Sequence, residues 1–216
     1  MICGVWRTPS WPMWAPWMGE ATSGRARGGA VTLVRHGEPA LSRRVRLSAA
    51  GYRDWWARYE VGGLKAGQTP PCTLLDAAAK ADVLIASTRP RAIESATAIT
   101  AGRRFAEDSM FIEAPLPPPP LPEWLKLPPR QWGVISRICW WLLGHNEGQE
   151  SYAEAKLRAS RAAESLIARS AQGEEVLVVA HGFFNLMVGR ALMARGWRLA
   201  QNEGFQYWSA RRFEPR

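Results

Sequence analysis

Three short runs stand out against the more polar remainder of the chain: residues 30–34, 82–86 and 176–180 are almost wholly aliphatic. Each has the length of a strand and lacks period-two alternation, which suits strands buried on both faces. Elsewhere the apolar residues take helical spacing. Ser48 is placed to cap a helix running through Trp55 and Trp56 to about residue 61. A short helix over 73–80 follows Pro70 and Pro71, one over about 91–102 follows the second run, and one over about 183–195 follows the third. Residues 110–112 read as a further short strand. Residues 205–209, Phe-Gln-Tyr-Trp-Ser, alternate well enough to read as a final strand at the sheet edge. Strands alternating with helices predict an α/β fold, a three-layer sandwich whose mostly parallel central sheet is covered by helices on both faces.

Three segments stand apart. Residues 115–129 hold four consecutive prolines, Pro117 to Pro120, and so read as a stiff loop wall. Residues 131–143 form a strongly apolar helix with Trp132, Trp140 and Trp141. It is too short to span a bilayer and contains Arg137, so it reads as a cap that also packs on the core. In residues 1–29 Trp6, Trp11, Trp14 and Trp17 are interleaved with Pro9, Pro12 and Pro16, and no regular period survives. This segment reads as an unfolded leader outside a domain of residues 30–216, with Met18 as an alternative start. Its apolar stretch is too interrupted for a signal peptide, and a tryptophan membrane-surface anchor is the weaker alternative.

The chemistry gathers where strands stop. The first run ends in Arg35-His36-Gly37-Glu38 and the third in His181-Gly182, which uses two of the three histidines in the chain. Ligands of open α/β sheets bind at these carboxyl ends, and a glycine beside each histidine permits a sharp turn or close backbone approach.

Charge narrows the partner only partly. A net charge of +9 on 216 residues suits anionic ligands. Dropping Arg7, Glu20, Arg25 and Arg27 with the leader leaves the remainder basic. No base-stacking motif or reader helix supports nucleic-acid binding, and nothing points to a membrane. Cys3, Cys72 and Cys139 have neither metal-ligand nor Cys-x-x-Cys spacing, which argues against a disulfide framework and for a reducing cytoplasm. No Gly-rich nucleotide-phosphate loop is present, and no cofactor or metal is expected. Oligomeric state is not legible.

Four blocks, in order, resemble the histidine phosphatase superfamily, the phosphoglycerate mutase-like group: Leu33-Val34-Arg35-His36-Gly37-Glu38; Ser87-Thr88-Arg89-Pro90-Arg91-Ala92; Phe111-Ile112-Glu113; and Val179-Ala180-His181-Gly182. The resemblance implies a phosphomonoesterase in which His36 is the covalent nucleophile. Arg35, Arg91 and His181 would bind the phosphate oxygens, His181 with help from free N–H groups at the start of its helix. Glu113 would be the general acid, with Glu123 as the competing acid and Glu38 as a third choice. Arg89 would reach the phosphate rim or the surface, His145 would be a loop residue, and Asn185 would steady the helix after His181. Many members carry an asparagine several residues after the Arg-His-Gly turn. Here residues 39–45 read Pro-Ala-Leu-Ser-Arg-Arg-Val. The expected substrate is a phosphorylated small molecule. The alternatives are a mutase-like phosphotransferase, a protein phosphohistidine phosphatase and a non-catalytic phosphate-binding module.

Overall fold

A computed structural model describes residues 28–216. Six strands and six helices follow one another as β1 (Val31–Arg35), α1 (Ala49–Val61), α2 (Cys72–Lys80), β2 (Val83–Ala86), α3 (Pro90–Thr100), β3 (Ala106–Glu107), α4 (Pro129–Leu142), α5 (Tyr152–Ser170), β4 (Val176–Ala180), α6 (Gly182–Ala194), β5 (Trp197–Asn202) and β6 (Ala210–Pro215). They build one sheet in the order β3-β2-β4-β1-β6-β5. The β3–β2, β2–β4 and β4–β1 pairs are parallel, and β6 runs antiparallel to both β1 and β5. The mostly parallel, helix-covered sheet expected from the sequence is therefore present.

Alternation along the central strands divides two cores. Val31, Leu33, Val176 and Val178 face α5 and α6, packing on Ala155, Ala159, Ala162, Ala163, Leu166 and Val188. Val34, Leu177 and Val179 face α2 and α3, on Leu74, Ala78, Ala96 and Ile99. The sequence reading passed over α5, although its start is marked by a capping box: Ser151 Oγ accepts from Glu154 N while Glu154 accepts from Ser151 N. Its buried face is mostly alanine, small enough to bring the helix close to the sheet but weak as an apolar signal.

Two expected strands fall elsewhere. Residues 109–111 form a single 3-10 turn, because the Asp108 side chain accepts from Met110 N at 2.8 Å and caps it. The strand of that region is β3, just before it. Residues 205–209 form a loop in which Trp208 has φ 62° and Ser209 Oγ donates to Gln206 O at 2.7 Å. Phe205, Gln206 and Tyr207 all line the cavity described below; the edge strand is β5, and β6 lies inside the sheet. Gly29, expected outside the domain, is packed within it. Its N–H donates to Ser170 O at 2.9 Å, and a Cβ there would sit 1.9 Å from Glu174 O. Residues 1–27, the rest of the expected leader, lie outside the described residues.

A third core stands off the sheet, where Tyr52, Trp55 and Tyr59 of α1 meet Trp132 of α4. Trp132 is fully buried and donates from Nε1 to Leu47 O at 2.6 Å. Helix α4 thus packs on the core through Trp132 and Trp140 and turns Gly133, Val134, Arg137 and Ile138 toward a cavity. Among the described residues no helix is long and apolar enough to cross a membrane.

Candidate functional site

Register puts the two histidines side by side. β1 and β4 pair from Val31↔Val176 to Arg35↔Ala180, so both strands stop at the same level and hand over to His36 and His181. The His36 N–H donates to Ala180 O at 3.0 Å, and Ser87, the residue after β2, donates from its N–H to Val179 O at 2.9 Å. The imidazole centroids of His36 and His181 stand 5.1 Å apart.

The turn after β1 is locked from two sides. The Gly37 N–H donates to Ser95 Oγ at 2.9 Å, and that hydroxyl donates to Arg91 O at 2.6 Å. The Trp208 indole covers Gly37 so closely that a Cβ would meet it at 2.4 Å. Glycine is required here by the close approach of the ring. Within this turn His36 Nδ1 lies 2.7 Å from Gly37 O. A carbonyl can only accept, so Nδ1 carries the proton and Nε2 keeps its lone pair. Burial, with Arg91 and Arg35 nearby, holds the His36 imidazole well below its usual pKa, against the opposing pull of the Gly37 carbonyl. His36 is therefore neutral at physiological pH.

His181 is fully buried and also held well below its usual pKa, by burial first and then by Arg91 and His36. Ser87 Oγ lies 2.9 Å from its Nε2, and the Arg89 N–H donates to that same hydroxyl at 3.5 Å. With the hydroxyl donating to Nε2, the proton of neutral His181 sits on Nδ1, which is buried and has no partner among the described residues.

Two arginines flank the pair. Arg91 has no exposed surface; it donates to Tyr59 O at 2.8 Å and to Glu60 Oε1 at 3.2 Å. Arg35 donates to Phe205 O and lies over the Tyr207 ring, 4.5 Å from its centroid. The Nε of each is buried and has no partner among the described residues. Glu113 anchors to the start of α6, accepting from Phe184 N at 3.0 Å, Ala114 N at 3.1 Å and Phe183 N at 3.3 Å. The free helix N–H groups expected beside His181 are thus partly taken by this carboxylate, which a helix N-terminus attracts as it would any anion.

Arg35, His36, Arg91, Glu113 and His181 all line one cavity of about 820 Å³. The competing acids lie outside it. Glu123 is exposed, and Glu38 faces solvent 3.5 Å from Lys65. Arg89 pairs with Glu60 instead of reaching the cavity. His145 lies 3.1 Å from Pro118 O in a loop, and Asn185 donates to Val34 O at 3.0 Å, tying α6 to β1. The sequence reading missed Arg43, Tyr52 and Arg137, which line the cavity, and Ser95 and Glu60, which brace it. Ser95 follows the second block by three residues; the others carry no local signal. Among the described residues no cluster of potential metal ligands occurs.

Among solved structures, the chain is similar to mycobacterial glucosyl-3-phosphoglycerate phosphatase in complex with VO3. Identity is 18% over 77% of this chain and 82% of that one, with TM-score 0.52. A protein described as mycobacterial hydrolase 1 matches at 18% identity over 77% and 79% of the two chains, also with TM-score 0.52. These likenesses show a shared fold. No curated protein sequence matches the chain. The family profile described as "Histidine phosphatase superfamily (branch 1)" matches residues 73–215, which include β4, His181, Arg91 and Glu113. A match over more than half the chain, on this fold, shows that the chain belongs to the histidine phosphatase superfamily.

Proposed function

We propose that the protein hydrolyses a phosphomonoester through a phosphohistidine formed on His36. The observation that carries this reading is the Nδ1 contact to Gly37 O in a neutral, buried ring, which leaves the Nε2 lone pair free beside two arginines. In the first step Nε2 attacks phosphorus, and the bond from phosphorus to the leaving oxygen breaks. Glu113 gives the leaving oxygen its proton. The Gly37 carbonyl steadies the positive charge that grows on the imidazole. Arg35, Arg91 and the Nδ1–H of His181 hold the equatorial oxygens, where preorganised donors count most. In the second step water attacks phosphorus, Glu113 takes its proton, and the N–P bond breaks to release phosphate and restore neutral His36. Because α4 roofs the cavity, the reading favours a small-molecule substrate over a phosphorylated protein side chain.

The test is a quench with labelled substrate. Acid-labile, base-stable phosphate should appear on the wild-type chain and be absent from His36→Ala, together with loss of turnover. Label persisting in His36→Ala would overturn the assignment of the nucleophile.

A further inference from the structure

The face that α4 turns away from the core is apolar. Trp132, Ser136 and Trp140 are buried, and the residues two places on, Val134, Ile138 and Leu142, fall on the far side of the helix with Trp141 beside them. A surface helix ordinarily carries polar side chains there. Here Val134, Ile138, Trp141 and Leu142 are 59%, 48%, 58% and 63% exposed, and the exposed Leu143 prolongs the stripe past the helix end. Spacings of three and four residues make these side chains neighbours along about 12 Å of helix. Helix α4 has no acidic residue, and its one exposed cation, Arg130, stands in the first turn.

The stripe starts inside the cavity. Val134 and Ile138 belong to the cavity wall as well as to the exposed face, so the cavity opens to solvent across them, whereas His36, Arg91 and His181 are buried at its inner end. Trp56 and Phe205 add aromatic surface to the same wall. The cations nearby are already engaged: Arg43 donates to Tyr59 Oη at 2.6 Å, and Arg137 lies against the Phe183 ring with Glu113 as a neighbouring charge. Contiguous exposed apolar surface marks a binding site. A second copy of the chain or a bilayer laid over this stripe would obstruct the way to His36, but an apolar chain carried by the substrate itself would not. Resting on the phosphatase reading above, we propose that the substrate is an amphiphile, a phosphomonoester whose apolar chain leaves the cavity across Val134 and Ile138 and lies along α4 toward Trp141 and Leu142. Helix α4 then selects for chain length, because each methylene it covers adds affinity.

Affinity measured on full-length His36→Ala tests this without turnover. The probes are butyl, octyl and dodecyl phosphate, each below its critical micelle concentration, titrated by calorimetry. A methylene half removed from water is worth about twofold, so octyl phosphate should bind about tenfold or more tightly than butyl phosphate, and dodecyl phosphate more tightly still. Val134→Ser with Ile138→Ser, both at exposed positions where folding is little disturbed, should bring the octyl preference close to one and leave butyl phosphate unaffected. Trp141→Ser should weaken dodecyl phosphate most. Leu157→Ser, at an exposed leucine of α5 outside the cavity, should leave every preference intact. A preference near one in the His36→Ala parent, one that survives the α4 substitutions, or an equal loss in Leu157→Ser would overturn the proposal, as would failure of every probe to bind. It would also fall if the α4 substitutions abolished self-association in sedimentation, or flotation with phosphatidylglycerol vesicles, while the alkyl preference persisted. A preference that depends on α4, with no turnover of any probe by wild type, would instead remove the phosphatase reading and leave the chain site standing.

Discussion

Burial keeps His36, the proposed nucleophile, neutral, and that has a consequence for stability. His36 and His181 both stay neutral in the fold, whereas in the unfolded chain they titrate near 6.5. Below that pH the unfolded state binds protons that the native state refuses, so stability falls as pH drops. The fall is at most about 1.4 kcal/mol per pH unit for each histidine, until the folded rings themselves protonate. Melting temperatures between pH 7 and pH 5 should therefore decline less steeply in His36→Asn than in wild type. Equal slopes would contradict the neutral assignment. Glu113 gives a second test. If it protonates the leaving oxygen, Glu113→Gln should slow the first, phosphorylating step about 100-fold or more on alkyl phosphates and much less on an activated aryl phosphate, whose oxide leaves unaided, while the later hydrolysis of the phosphohistidine slows alike for both. Glutamine also removes an acceptor from the start of α6, but that structural loss strikes both substrates equally. Glu123→Gln, outside the cavity, should show no selectivity; if it does and Glu113→Gln does not, the acid lies in the proline loop. At this scale the sequence exposed the residues adjoining strand ends, because a strand terminus and a glycine are local features. Arg137, Tyr52 and Glu60 reach the site only through packing of α1 and α4, which no local pattern encodes.

Helices α1 and α4 form the roof, and a single side chain fastens it. Trp132 is enclosed by Tyr52 and its neighbours and tied to Leu47 O. Trp132→Ala should cost about 3–5 kcal/mol, as for large aromatic truncations in a core, readable as a shift in denaturant midpoint. Trp132→Phe should cost less, since it retains the ring packing and forfeits the indole hydrogen bond. A change below about 1 kcal/mol for the alanine variant would show that the roof is not held this way. Element boundaries with strong caps or aliphatic runs were legible: Ser48 caps α1 as expected, accepting from Gly51 N. The failures have physical causes. Alanine supplies α5 with helix propensity but little apolar contrast, and β6 carries Arg211 and Arg212 between its buried Ala210 and Phe213, which breaks the apolar pattern of a strand.

On the scale of the whole molecule, every cavity-lining residue named above falls between Arg35 and Tyr207. We expect removal of residues 1–27 to leave the melting temperature and turnover almost unchanged. A drop above roughly 5 °C, more than about 1 kcal/mol for a domain of this size, would contradict that. The sheet order carries a further consequence. β1 holds Arg35 and leads into His36, yet it is sandwiched between β4 and β6, whose residues are synthesised some 140 and 175 positions later. Trp208, which covers the Gly37 turn, arrives with that same final hairpin. A nascent chain therefore carries the proposed nucleophile from the outset but lacks the strands that shape its turn until translation is nearly finished. Fragments ending between α6 and β6 would hold every proposed catalytic side chain but lack the strand and the indole that shape the β1 turn, and we expect them to be inert, so interrupted synthesis would give a cell no phosphatase activity.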